Sequence, residues 1–368
     1  MGNPGKLVGI EECQTLKFQG SMRIPTMRAV GFEKHGDPSV LKVMELPDPR
    51  PGPGEVIIRV LATSLNRIDT IVRRGYPGIP VKLPHVPGAD IVGYIESAGP
   101  GTDLGEFRVG DLVLVSNVWG CGSCRFCRAG LEDYCPSWTM PGFQVWGGYG
   151  ELVKVPVRAL VKAPSGFSTD ELAVLPLAYS VSWKALRTAN VSPGDWVLIL
   201  GGSGGIGTAL TILAKALGAR VIAVTSRPNL MRSLGADVVV GYDRDELMKV
   251  VSERTEYGVD AAIDAIGDTV PMALDAIRLG GTVVAFGVLG KSPTVQIDIR
   301  RFYLRHVRLV GIHNAARAYL KEVIDFMASR GVRPFISRVA TVRDAPALHE
   351  LMESRGVVGK VVMRHEWD

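Results

Sequence analysis

With 368 residues, 46% of them hydrophobic and 21% charged, the chain is too long for one compact core and reads as a globular protein of two domains. Its net charge of +5 comes without a dense Lys/Arg block, which argues against a nucleic-acid partner but suits a basic cleft for a phosphorylated ligand. No apolar run reaches the length of a membrane span and the first residues lack a signal-peptide core, so no membrane association and a cytoplasmic protein are expected.

Arg outnumbers Lys 29 to 13, a bias reported in some heat-adapted families. Residues 1–26 show no periodicity, hold the lone Cys13 and read as an N-terminal extension. A first strand is expected at 27–32. From there to about Ala178, short strands (56–60, 91–95, 112–115) alternate with turns such as 47–53 and Val109-Gly110-Asp111. Strands this short and this often interrupted predict a partly open β-barrel. Within this segment Cys121, Cys124, Cys127 and Cys135 follow the spacing C-x2-C-x2-C-x7-C. Four thiolates on one short loop can close a tetrahedron around zinc, and a closed tetrahedron is a structural site. An iron–sulfur cluster shares the first spacings but not the last, and disulfides are the other alternative.

From about Tyr179 the texture changes to strand–helix alternation, with strands expected at 196–200, 221–225, 238–240, 261–264 and 282–286. This is the pattern of a doubly wound parallel sheet. Its first strand runs into Gly201-Gly202-Ser203-Gly204-Gly205-Ile206-Gly207, in which Gly202, Gly204 and Gly207 give G-x-G-x-x-G. Glycine permits the tight turn, removes side chains that would strike a pyrophosphate and lets helix pack close on strand. The helix N-terminus then offers free N–H groups to the anion. The turn Pro193-Gly194-Asp195 before the strand and Gly218 after the helix complete the unit, which predicts dinucleotide binding. Beyond Val310, helices at 316–329 and 345–353 and a strand at 360–363 are expected to return to the first domain.

The cysteine loop followed by the glycine motif, with the G-D-x-V turn, Gly147-Gly148-Tyr149-Gly150-Glu151 and Gly359-Lys360-Val361-Val362 in order, resembles the medium-chain dehydrogenase/reductase superfamily of zinc alcohol dehydrogenases and quinone reductases. The resemblance runs from about Met27 to the C-terminus. It implies an α/β fold with a GroES-like barrel catalytic domain at 27–178, a Rossmann cofactor domain at 179–313 and a return to the catalytic domain at 314–368. It also implies a homodimer or homotetramer, and dinucleotide contacts at Gly202, Ser203, Gly204, Gly205, Ile206, Gly207, Ala265 and Gly287.

The family's catalytic zinc ligands are not matched. The Cys of C-x-x-D is read here as Asn66 of Asn66-Arg67-Ile68-Asp69, the His of G-H-E as Ala89 of Gly88-Ala89-Asp90, and the third ligand falls at Leu177. Asn, Ala and Leu cannot together hold zinc, although Asp69 and Asp90 could in principle bind a metal. The expectation is one structural zinc and no catalytic zinc. The stretch from Asn66 to Tyr76 is similar to the zinc-independent quinone reductases. Without a Lewis acid, a carbonyl must be polarised by hydrogen-bond donors. Asn66 is the candidate donor, with turn capping as its alternative. Tyr76 and Tyr179 are candidate proton sources, with core or rim packing as theirs. Ile68, Asn117 and Trp119 fall at family pocket positions, where Trp119 would favour a bulky apolar substrate. Asp69 and Arg73 could form an ion pair on one helix face. The histidines show no metal spacing. His35, His85, His349 and His365 read as loop or surface residues, and His313 as structural, with the nicotinamide end of the cleft as its alternative.

NAD-dependent members end the second Rossmann strand in Asp. This chain has Val224-Thr225-Ser226-Arg227-Pro228 instead. Ser226 and Arg227 can hydrogen-bond and neutralise a 2′-phosphate that a carboxylate would repel. With Tyr242 they resemble NADP-dependent bacterial and archaeal alcohol dehydrogenases, and an ordinary exposed loop Arg is the alternative. The sequence therefore implies an NADPH-dependent reductase of hydrophobic carbonyl compounds. A quinone reductase, an enoyl-thioester reductase and a non-enzymatic NADPH-binding structural protein are the rivals.

Overall fold

The computed structural model describes residues 25–75, 80–287 and 292–367. Tyr76, Cys13 and all of the N-terminal extension but Pro25 and Thr26 lie outside the described residues. The described residues open with an antiparallel hairpin, β1 (Thr26–Gly31) and β2 (Lys42–Pro47). Next come β3 (Glu55–Ser64), α1 (Arg67–Arg74), β4 (Ile91–Ala98), β5 (Leu112–Val115), α2 (Arg125–Arg128), β6 (Leu152–Pro156) and β7 (Leu160–Lys162). β3 pairs with both β4 and β6, and two register shifts in its ladder with β4 bend it into a barrel wall. The barrel core is filled by Val56, Ile58, Val60, Ile91, Ile95, Val113, Val115 and Leu160.

A short α3 (Thr169–Ala173), one π-helical turn at Leu175–Tyr179 and α4 (Ser180–Thr188) lead into the second unit. There β8 (Trp196–Leu200), α5 (Gly205–Ala216), β9 (Arg220–Val224), α6 (Pro228–Ser233), β10 (Val238–Val240), α7 (Arg244–Arg254), β11 (Val259–Asp264), α8 (Val270–Ala276), β12 (Ile277–Ala285), α9 (Ile299–Leu304) and β13 (Arg308–Gly311) alternate. The six strands are parallel in the order β10-β9-β8-β11-β12-β13. Helices cover both faces, so β8 and β9 are continuous apolar runs rather than alternating ones. The order reverses between β8 and β11, and the carboxyl ends of the strands there form the crevice in which such sheets bind ligands.

The last segment holds α10 (Arg317–Arg330), β14 (Ile336–Thr341), α11 (Ala345–Glu353) and β15 (Lys360–Arg364). α10 packs Leu320, Val323, Ile324 and Met327 into the core shared with Trp183, Leu186, Val197 and Ile199. β15 inserts between β14 and β3, giving a seven-stranded sheet ordered β14-β15-β3-β4-β5-β7, with β6 also on β3. The fold is the expected α/β pairing of a GroES-like barrel with a Rossmann sheet. Among the described residues no helix is long and apolar enough to cross a membrane.

Candidate active site

The glycine turn joins β8 to α5 at the crevice. Gly204 is the N-cap, so α5 begins at Gly205 with its free N–H groups facing out of the turn. The glycines serve different ends. A Cβ on Gly207 would overlap the carbonyl oxygens of Gly201 and Gly202, so this glycine is required by strand–helix contact. A Cβ on Gly204 would meet only Gly201 O, at 3.8 Å, so the protein itself leaves that side open. Such an open cradle at a helix N-terminus fits a pyrophosphate. Ser226 and Arg227 follow β9 and are exposed, and the Arg227 N–H is fixed by Thr225 Oγ1 at 3.0 Å. Tyr242 follows β10, is 46% exposed, and its hydroxyl lies near the Gly201 backbone at the start of the glycine turn. Ala265 and Gly287 lie just beyond the ends of β11 and β12, and Gly287 has φ +91° with the Ala265 carbonyl oxygen 2.8 Å from where its Cβ would be. The proposed cofactor residues thus come together along one edge of the sheet.

Across the crevice lies a buried polar floor. Asp90, at 0% exposure, accepts from Asn66 Nδ2 (2.8 Å), Lys360 Nζ (3.2 Å), the Leu177 N–H (2.8 Å) and the Ser64 hydroxyl. Lys360 also donates to Asn66 Oδ1 at 2.6 Å and to Leu65 O at 3.1 Å. The positions at which the family resemblance expects metal ligands, Asn66, Ala89 and Leu177, are a neutral amide, a methyl and an apolar residue, and an ammonium is already seated between Asn66 and Asp90. This donor set does not fit a metal. Asn66 does not stand free as a donor: its second Nδ2 proton goes to Ser64 O at 3.1 Å. Sequence reasoning missed Asp90 as the centre of the floor, and read Lys360 only as part of the closing Gly359-Lys360-Val361-Val362 motif, without a role in the site.

Asp69 lies one layer further in. Its Oδ2 accepts from the Asn66 N–H (2.8 Å) and the Tyr149 hydroxyl (3.3 Å), and Tyr149 also meets His349 Nε2 at 3.0 Å. The Asp69–Arg73 pair that the helix spacing allowed is not formed, and Arg73 pairs with Glu353 on α11 instead. Burial, reinforced by the nearby Asp90, pushes the Asp69 carboxyl up to about 7, while burial lowers His349 to about 3. An acid whose folded pKa lies above its unfolded value costs stability as pH rises between the two. His349, a base held neutral, acts in the opposite sense, so the readout is the difference between variant and parent. Asp69→Asn is expected to gain roughly 2–4 kcal/mol relative to the parent between about pH 4 and pH 7, measured by denaturant unfolding at several pH values. A pH-independent difference would contradict a protonated Asp69.

Two other expectations are corrected. Tyr179 is fully buried, and its hydroxyl accepts the Phe335 N–H at 2.9 Å, so it is a core residue and not a proton source. Trp119, 7% exposed, belongs to the barrel core with Phe107 and Leu160 rather than to a pocket wall. Ile68 is half-buried beside the hairpin core. Asn117 is buried and donates to Asn314 Oδ1 at 3.3 Å, with its own Oδ1 unpartnered. His85 and His349 are buried, against the surface reading, and His313 stacks edge-on against Trp138 at 4.6 Å.

The four cysteine Sγ atoms lie within 4.8 Å of one another. The Cys121, Cys124 and Cys127 N–H groups point at Sγ atoms at 3.4–3.5 Å, and none of the four is in a disulfide. A Cβ on Gly120 would overlap Cys127 Sγ, so this glycine lets the chain close round the cluster. The donor set fits a tetrahedral soft-metal site. The same loop carries Asp133, which forms a buried ion pair with Lys184 of α4. Lys184 Nζ also reaches the carbonyls of His313 (3.2 Å) and Asn314 (3.1 Å), where the chain leaves the parallel sheet.

Residues 52–165 match the alcohol dehydrogenase GroES-like domain, and residues 205–329 match the zinc-binding dehydrogenase family. The chain is 31% identical over 327 residues to an acryloyl-coenzyme A reductase of Metallosphaera sedula, covering 88% of this chain and 96% of the relative. It is 31% identical over 345 residues to an alcohol dehydrogenase of Geobacillus stearothermophilus, covering 92% and 99%. Among solved structures, AibC superposes with a TM-score of 0.85 at 31% identity, covering 97% of this chain and 99% of that one. A thermostable alcohol dehydrogenase from Pyrobaculum aerophilum superposes with 0.82 at 30% identity, covering 92% and 100%. Sequence and fold together make this chain an oxidoreductase that belongs to the medium-chain dehydrogenase/reductase superfamily.

Proposed function

We propose that the protein is an NADPH-dependent reductase that delivers hydride to a hydrophobic carbonyl compound without a catalytic metal. The observation that carries this reading is the pairing of an exposed Ser226-Arg227 just beyond β9 with a floor in which Asn66 is bonded to the buried Asp90 and Lys360 rather than placed among metal-ligating side chains. The dinucleotide supplies the hydride when bound. The glycine turn holds its pyrophosphate, and Ser226, Arg227 and Tyr242 surround the 2′-phosphate. Asn66 donates an Nδ2 proton to the substrate oxygen, exchanging the longer of its two bonds, that to Ser64 O at 3.1 Å. Lys360 on Asn66 Oδ1 polarises the amide and strengthens it as a donor. With Tyr179 buried, Tyr76 or water delivers the proton. The cysteine cluster holds one structural zinc.

The second reading is reduction of a conjugated acyl thioester, supported by the likeness to the acryloyl-coenzyme A reductase. Turnover of NADPH with a cyclic ketone, a quinone and a crotonyl thioester separates the two readings. Tight NADPH binding with no turnover of any of them would oppose both. Arg227→Ala is expected to weaken NADPH by about tenfold to a hundredfold with NADH little changed, measured by fluorescence titration. Equal losses would remove Arg227 from the phosphate site. Metal analysis is expected to return about one zinc per chain, and its removal by a chelator to lower the melting temperature. Two zincs per chain would refute the metal-free floor.

A further inference from the structure

Lys360 touches both halves of the site. It opens β15, and the residue before it, Gly359 (φ +60°), bridges to Gly204 and donates its N–H to Ser203 O at 2.9 Å inside the glycine turn. The Lys360 stem lies against the start of α5, with Cδ 2.8 Å from where a Gly205 Cβ would stand. Its ammonium crosses to the floor and meets Leu65 O, Asn66 Oδ1 and Asp90 Oδ2. Three protons face three acceptors, so the side chain is saturated and, at 2% exposure, has no donor left for a phosphate or a substrate. The groups it holds, however, are the dinucleotide cradle on one side and the proposed substrate donor on the other. Asp90 carries the tie one step further, to the Leu177 N–H at the π-helical turn.

We propose that Lys360 is a positioning residue that couples dinucleotide binding to the arrangement of the Asn66–Asp90 floor, touching neither dinucleotide nor substrate. The coupling is reciprocal: whatever orders the glycine turn also orders the floor, and loosening the floor weakens the dinucleotide. This rests on the dinucleotide reading given above, so the test begins with the parent protein.

Lys360→Met alone leaves Asp90 buried without its cation, and that variant can fail through folding. The double variant Lys360→Met/Asp90→Asn removes both charges and keeps the stem against Gly205. It is expected to melt as one cooperative unit yet bind NADPH and NADH about tenfold more weakly, with the same factor for both. That common factor separates it from Arg227→Ala, which discriminates between the two. If the double variant binds both as tightly as the parent, Lys360 is only structural and the proposal falls. A parent protein that binds neither dinucleotide overturns the dinucleotide reading, and the coupling with it. A second measurement needs no variant. In the parent, saturating NADPH is expected to slow hydrogen exchange of the Leu177 amide about fivefold or more. Exchange unchanged by a dinucleotide that demonstrably binds also overturns the proposal.

Discussion

Gly207→Val is expected to abolish measurable dinucleotide binding, a loss of at least about a hundredfold or ~2.7 kcal/mol, and to lower the melting temperature as well. The added carbons would overlap two carbonyl oxygens of the turn itself, Gly201 O and Gly202 O, and backbone cannot rotate aside as a flexible side chain can. The turn must open, which disperses the N–H groups at the start of α5 and separates strand from helix. Gly204→Ala makes the informative contrast. Its Cβ has room in the protein, with Gly201 O at 3.8 Å as its nearest neighbour, so the melting temperature should hold while binding falls. Fluorescence titration beside thermal melting checks both. Unimpaired binding by Gly204→Ala would mean that the open side of the turn is not where the pyrophosphate sits.

Lys184→Met is expected to destabilise the protein by about 3–5 kcal/mol, the usual cost of leaving one member of a buried ion pair alone. Its partner Asp133 is buried with one carboxylate oxygen already unpartnered, and removing the ammonium strips the other. The same change frees the carbonyls of His313 and Asn314, of which Asn314 holds a left-handed φ of +48°. Denaturant unfolding measures the loss. Lys184→Met/Asp133→Leu, which removes the orphaned charge, should recover part of it, and equal stability of the parent and the single variant would contradict the geometry.

The parts legible in the sequence are those whose physics is local. β8 reads as Trp-Val-Leu-Ile-Leu because both its faces are covered, and the glycines follow it because a turn and an anion need them at adjacent positions. The cysteines declare themselves because four ligands within fifteen residues need little tertiary help. β14 was not legible: as an edge strand its Ser337, Arg338 and Val339 are exposed, so it has no apolar rhythm to read. Trp119 beside the cysteine loop could have faced either way, and only its packing with Phe107 and Leu160, residues distant in sequence, puts it in the core. Asn66 could be nominated from its place in a motif. Its immediate partner Lys360 could not, because it lies 294 positions away and looks like the first residue of an ordinary terminal strand.

The place of β15 also dictates an order of events during synthesis. β3 emerges early, yet one of its neighbours in the sheet is β15, the last of the described strands, paired through Val362 and Ser64. The six parallel strands from β8 to β13 complete their ladder from residues wholly between these two. On a ribosome, which exposes the N-terminal part first, the parallel sheet can assemble while the barrel sheet still lacks β15. The glycine turn within that early sheet then waits for Gly359 to reach Ser203. A chain truncated before residue 359 would keep its Rossmann strands and lose the contact that finishes the cradle.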